Sequence, residues 1–138
     1  MNLLIDTHIL IWYIAGRPNL NKPMLNFIED AGNNISISIA SLWEIAIKVG
    51  KGKLDLGIEF HELEAILNQL NIQVLPILFS DLNVHRTLPF HHTDPFDDLR
   101  SVVDHRLIIS QSINQNLILI SADSAFKDYP IQNIWSAP

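Results

Sequence analysis

Five carboxylates in this chain stand where a cation could be held: Asp6, Glu44, Asp94, Asp97 and Asp123. Asp6 directly follows the apolar run Leu3 to Ile5, and Glu44 lies five residues after a β-branched run ending at Ile39. Asp94 and Asp97 flank Pro95 and Phe96, and Asp123 comes three residues after Ile120. In an open parallel sheet the ligand site lies beyond the carboxyl ends of the strands, where the following helices begin. Segments far apart in sequence therefore bring acids to one rim. Carboxylates gathered this way repel one another, and one or more takes up a proton unless a cation lies among them. Hard oxygen donors in a chain without cysteine favour Mg²⁺ or Mn²⁺ over zinc. An ion held there can activate water and stabilise both oxygens of an in-line phosphoryl displacement, which makes phosphodiester hydrolysis the natural reaction.

Each acid also has a local role open to it, because helix N-termini favour Asp and Glu as caps and as partners of the macrodipole. Ser41-Leu42-Trp43-Glu44 fits a capping box. Asp94 before Pro95 fits an N-cap followed by proline at the first helical position. Capping explains any one of these acids singly; it does not explain why four separate segments bring acids to one rim.

The elements that must position them alternate along the chain. Leu3 to Ile5 reads as a buried strand, Ile9 to Ala15 as a helix ended by Gly16, Arg17 and Pro18, and Lys22 to Ala31 as a second helix. Ile35 to Ile39 alternates with Ser36 and Ser38 and reads as a strand, followed by a helix over Ser41 to Val49. Glu59 to Leu70 carries apolar residues at 60, 63, 66, 67 and 70, the clearest amphipathic helix. A strand at Ile72 to Leu75, a short helix at Ser80 to Arg86, a helix from about Asp97 to Asn116, a buried strand at Leu117 to Ile120 and an edge strand at Ile131 to Trp135 complete the pattern. Strands separated by helices imply parallel βαβ crossovers and a sheet covered on both faces, so the fold class is α/β.

Composition bounds the rest. At 138 residues and 15.7 kDa the chain has the size of one domain, expected to span 1–138. With 48% hydrophobic and 17% charged residues it is too apolar for a disordered segment. The longest apolar run, Ile9 to Ala15, is seven residues, whereas a membrane helix needs about 20. With no basic leader ahead of an apolar core, a cytoplasmic location is expected. The absence of cysteine excludes disulfide scaffolds, thiolate zinc sites and cysteine nucleophiles. A net charge of −6 argues against nucleic-acid binding through a broad basic face, though not against an acidic cleft that acts on nucleic acid.

Four segments together carry a family resemblance: Leu3-Leu4-Ile5-Asp6-Thr7-His8-Ile9-Leu10-Ile11-Trp12, Ser41-Leu42-Trp43-Glu44-Ile45-Ala46-Ile47-Lys48, Leu88-Pro89-Phe90-His91-His92-Thr93-Asp94-Pro95-Phe96-Asp97 and Ser121-Ala122-Asp123. In this order they resemble the four acidic motifs of the PIN-domain family, and specifically the VapC-type toxins of bacterial toxin–antitoxin pairs. The resemblance runs from residue 3 to about Trp135. It implies a Mg²⁺- or Mn²⁺-dependent endoribonuclease on a three-layer α/β/α sandwich with a mostly parallel sheet. It also implies a homodimer restrained by a cognate antitoxin, whose basic tail would suit an acidic cleft. By the same resemblance Asp6, Glu44, Asp97 and Asp123 hold the metal, Asp94 lies close by, and Thr7 supplies a hydroxyl beside the first acid.

The third motif departs from the pattern. In relatives of this type Asp-Pro-Phe-Asp is followed at once by Arg and an apolar helix; here the matching run Arg106-Leu107-Ile108-Ile109-Ser110-Gln111 begins after eight extra residues, Asp98 to His105. The helix after the third acid must lead away from the site and the next strand must return. Six residues of strand, Leu117 to Ala122, span about 20 Å. A helix from Asp104 to Asn116 is about 18 Å long and one from Asp97 about 28 Å. Asp104 therefore rivals Asp97: either residues 98–105 loop out and Asp97 keeps its place, or Asp104 takes it, or the site is damaged. The intact local motif favours Asp97. Damage motivates a second hypothesis, a catalytically weakened PIN domain that mainly binds an antitoxin or RNA. A third, a receiver-like or phosphatase-like domain acting on small phosphates, has no motif behind it.

Among other residues, His91 and His92 are too close in sequence for a zinc pair and read as loop residues near the cleft. Gly50-Lys51-Gly52-Lys53 lacks the Walker A pattern. Lys48, Lys51 and Lys53 read as a solvated helix end, with an RNA-backbone rim as the alternative. Trp12, Trp43 and Trp135 read as core or dimer-interface aromatics, with base stacking as the alternative for Trp12.

Overall fold

The computed structural model describes residues 1–88 and 99–135. Asp94, Asp97, His91 and His92 lie outside the described residues. Four strands form one sheet: β1 (Asn2–Ile5), β2 (Asn34–Ser38), β3 (Ile72–Leu75) and β4 (Ile118–Ile120), in the order β3-β2-β1-β4, every pair parallel. Six helices accompany them among the described residues: α1 (Thr7–Ala15), α2 (Lys22–Glu29), α3 (Ile39–Gly50), α4 (Leu63–Gln69), α5 (Phe79–His85) and α6 (Leu99–Asn114). No helix among the described residues is long and apolar enough to cross a membrane.

Strand pleating explains the layers, since successive side chains point to opposite faces. Leu3 pairs with Ile35 and Ile118, and Ile5 with Ile37 and Ile120. That face meets Ile9 and Leu10 of α1, Met24 and Ile28 of α2, Ile45 of α3, and Leu63 and Leu67 of α4. Leu4 and Leu119 point the other way, onto Ile108 and Ile109 of α6, Leu88, Phe126 and Tyr129. Apolar residues on both faces of β1 make it a central strand, and the result is a three-layer α/β/α sandwich.

Local chemistry sets where the helices begin and end. Asp6 caps α1 by accepting from the Ile9 N–H, and Gly16, at φ +64°, ends it in the left-handed region. Asn21 caps α2. Ser38 caps α3 by accepting from the Ala40 N–H, so that helix begins two residues before Ser41. The capping box expected at Ser41 and Glu44 therefore does not form. Ser41 lies one turn inside the helix, with its buried hydroxyl unpaired among the described residues.

Two further expectations are corrected. Glu59 to Leu70 is not one helix: Phe60–Glu62 is a 3-10 turn that leads into α4, which starts without a side-chain cap. Ile131 to Trp135 is not an edge strand but a single parallel bridge, Leu119 with Asn133. The Asn133 side chain explains the interruption. Its amide donates to the Ser121 carbonyl at 2.9 Å, and its Oδ1 accepts from the N–H groups of Ser121 and Trp135, replacing the next ladder bonds.

Helix α6 begins at Leu99 among the described residues, ahead of Asp104, while Asp97 lies outside them. The helix includes residues 99–105, so that stretch does not loop out. From His105 to Asn114, however, ten residues rise about 15 Å, close to the length the return strand allows. The helix overshoots the rim by its first turns. It is locked to α5 by the buried Asp81, whose Oδ2 accepts from the Leu78 N–H at 2.8 Å and whose Oδ1 accepts from the Asn114 amide at 2.8 Å. Asp81→Asn retains the shape but offers only one acceptor oxygen. A loss of about 1–2 kcal/mol is expected in urea unfolding, because one buried group goes unpaired; an unchanged midpoint would show that the carboxylate is not what joins α5 to α6.

Candidate active site at the carboxyl edge of the sheet

Asp6 leaves the end of central strand β1 and is only 4% exposed. Its backbone N–H donates to the Ile120 carbonyl of the neighbouring β4 at 3.2 Å. Its Oδ1 accepts from the Ile9 N–H at 2.9 Å, and its Oδ2 accepts a close hydrogen bond from the Ser121 hydroxyl. The same hydroxyl oxygen accepts from the Asp123 N–H at 3.0 Å. One serine, 115 residues from Asp6 in sequence, thus links Asp6 to Asp123.

Burial pushes the Asp6 carboxyl above its ordinary range; the hydrogen bonds from Ser121 and Ile9 and the charge of His8 oppose that, and the Asp123 charge reinforces it. Asp123 is partly exposed, and its Oδ2 lies 3.1 Å from His105 Nε2. The His105 ring meets the Phe126 ring edge-on, with centroids 5.1 Å apart. Glu44 projects from α3, and its Oε1 is 3.0 Å from Lys48 Nζ, one helical turn on.

Two adjoining hollows share Asp6 and His8 as walls. The smaller is lined by Asp6, Thr7, His8, Glu44, His105 and Ile108. The larger, about 220 Å³, is lined by Asp6, His8, Trp12, Ala122 and Asp123 and is open to solvent. Asp6 is thus the inner wall of a cleft whose lips are Glu44 and His105 on one side and Asp123 and Trp12 on the other.

The sequence matches the PIN domain family over residues 3–132. This chain belongs to the PIN domain family. The structure agrees: the crystal structure of VapBC2 from Rickettsia felis bound to a DNA fragment from their promoter superposes with a TM-score of 0.64 at 17% identity, covering 96% of this chain and 97% of that chain. No curated protein matches the chain.

In this PIN domain the structure brings Asp6 and Asp123 to one cleft and sets Glu44 on its wall. Asp6 is also an N-cap, so its capping role and its place in the cleft coexist. Thr7 is buried beside it. Lys48 is engaged by Glu44, which takes it away from an RNA-backbone rim; Lys51 and Lys53 are exposed. Trp43 is half exposed and so is not a core residue. Trp12 and Trp135 pack against each other, with centroids 6.1 Å apart.

Sequence reasoning missed two residues of the cleft. Ser121 follows β4 directly and stands first in the fourth motif, but its hydroxyl carries no assigned role there. His105 did leave a signal: it is the residue immediately before Arg106-Leu107-Ile108-Ile109-Ser110-Gln111, the run that should follow the third acid.

PIN domains are generally divalent-metal nucleases, and the donors here fit such an ion. Among the described residues no three His, Asp or Glu side chains are grouped closely enough to hold an ion by themselves. The chemistry of those present nevertheless calls for a cation. Among the described residues the hydrogen-bond donors to the buried Asp6 carboxylate are neutral, the Ile9 N–H and the Ser121 hydroxyl, and the Asp123 charge adds to its cost. A divalent ion beside both offsets burial and repulsion together.

Proposed function

We propose that this PIN domain is a Mg²⁺- or Mn²⁺-dependent endoribonuclease, the toxin of a toxin–antitoxin pair. The observation that carries this proposal is the pairing of the buried Asp6 with the partly exposed Asp123 through Ser121 at the open end of a parallel sheet. Asp6, Glu44 and Asp123 would hold the ion, and the four-motif resemblance adds Asp97 of the third motif, with Asp94 close by. When bound, the ion supplies the positive charge that offsets the charge building on the phosphate oxygens.

The chain's own residues do the positioning. Ser121 fixes which Asp6 oxygen faces the cleft, and Asn133 fixes Ser121. Trp12 offers an aromatic face on the wall shared with Asp123, where a base beside the scissile phosphate can stack. An antitoxin with a basic tail would seat on the same acidic cleft, and the chain works as a homodimer. The VapBC2 likeness and the four-motif resemblance support this partner assignment.

A second possibility, a weakened domain that only binds an antitoxin or RNA, is favoured by one observation. Glu44 and Asp123 each already have a basic side chain at hydrogen-bond distance. Calorimetric titration of Mg²⁺ and Mn²⁺, paired with cleavage of a mixed tRNA and mRNA pool, separates the two. Wild type is expected to bind the ion and cut RNA, and Asp123→Asn to lose at least about tenfold in affinity and more in rate. Ion binding without cleavage would favour the weakened domain. No ion binding would overturn the metal site.

A further inference from the structure

We infer that His105 is a nitrogen donor to the ion held by this cleft and that it biases the site toward Mn²⁺ over Mg²⁺. The inference rests on the metal site proposed above and adds to its donor set a residue from outside the four acidic motifs.

Three observations converge on it. His105 Nε2 lies 3.1 Å from Asp123 Oδ2. Two neighbouring donors, each about 2.1 Å from one octahedrally coordinated ion, lie about 3 Å apart, so the pair already has the spacing of two ligands on one centre. The ring also lines the hollow walled by Asp6 and Glu44, so it stands among the proposed oxygen donors. Finally, its position is held on both sides. Phe126, 2% exposed, packs edge-on against the ring, and the next residue, Arg106, is anchored by two hydrogen bonds from its Nη2 to the carbonyls of His85 and Leu88. A ligand ring oriented by its surroundings is what a metal site requires.

An ion pair with Asp123 alone is a weaker account of this geometry. Both groups are about a third exposed, and pairs in such settings contribute little to stability. Imidazole nitrogen is, by contrast, a decisive donor. Mg²⁺ takes oxygen ligands and keeps its waters, whereas Mn²⁺ and the later divalent ions accept imidazole with rising affinity.

Mn²⁺ makes the test direct, because nitrogen bound to it modulates the electron spin echo. Wild-type protein loaded with Mn²⁺ is expected to show ¹⁴N modulation and to bind Mn²⁺ at least about tenfold tighter than Mg²⁺ by calorimetry. His105→Gln is expected to lose the modulation and bring the two affinities within about threefold, while His61→Gln, on the exposed Phe60–Glu62 turn outside both hollows, retains both features. Mn²⁺ bound to wild type without ¹⁴N modulation, or modulation that survives in His105→Gln, would overturn the inference and leave the metal site standing. Wild type that binds neither ion would overturn the metal site itself. Where His105→Gln fails to fold, His105→Asn gives the same reading, and a wild-type spectrum without modulation overturns the inference with no variant at all.

Discussion

Asp6→Asn is expected to abolish the proposed cleavage and to make the metal-free protein more stable at neutral pH. The loss of activity follows from the position of Asp6 as the inner wall of both hollows. Loss of a residue that merely orients a metal ligand costs about 10–100-fold, so loss of this carboxylate should cost at least about 100-fold. The gain in stability follows from burial. Burial holds the folded carboxyl above its ordinary value of 3.8, so the folded protein binds this proton more tightly than the unfolded chain does. Stability from this group is therefore complete below 3.8 and is lost as pH rises from 3.8 through the raised folded value, leaving the full cost in place at neutral pH. Asn imitates the protonated form. It is also a good N-cap, so the bond to the Ile9 N–H survives.

Thermal unfolding in chelator should show the variant melting about 3 °C higher at pH 7, corresponding to about 1 kcal/mol, with the gap closing as the pH falls below the ordinary carboxylate range. Mg²⁺ should then raise the wild-type midpoint and leave the variant unmoved, because only wild type carries the ligand. A variant that melts lower at pH 7 would show that the hydrogen bonds to the charged form outweigh its burial.

Arg106→Ala has the largest expected effect on folding. Arg106 is 2% exposed, and its Nη2 donates to the His85 carbonyl at 2.9 Å and the Leu88 carbonyl at 3.0 Å, tying α6 to the end of α5. Truncation leaves two carbonyls without their charged donor and empties the space of a long side chain. Each charge-assisted bond is worth about 1.5–3 kcal/mol, which places the expected loss at about 3–5 kcal/mol and the fall in melting temperature at roughly 10 °C. Arg106→Lys should recover less than half of this, because a point ammonium does not reproduce the planar guanidinium. Urea unfolding of the three proteins measures it. A loss under about 1 kcal/mol would mean that water replaces the guanidinium at little cost.

The sheet was legible in the sequence because its strands are short apolar runs bounded by polar residues, and a parallel sheet buried on both faces produces that pattern. The acids at the strand ends followed from the same geometry. What was not legible depended on contacts between distant segments. Glu44 looked like part of a capping box because Ser41 precedes it by three, yet the chain enters α3 earlier and Ser38 takes the cap. The periodic stretch from Glu59 opens as a 3-10 turn, since no side chain caps α4 at its start. Ser121 and His105 have meaning only once β4 lies beside β1 and α6 crosses the rim. The length of the return strand located the place on α6 that meets the site; the residue standing there is a histidine.

The link between Asp6 and Ser121 also orders events in time. A chain made from its N-terminus presents Asp6 well before β4. Its oxygen is oriented by Ser121, its backbone by Ile120, and its partner acid is Asp123. A nascent or truncated chain that stops before β4 holds the first acid but neither the strand that seats it nor the hydroxyl that aims it. If the cleft cuts RNA as proposed, its competence is thereby deferred until β4, Ser121 and Asp123 have been made.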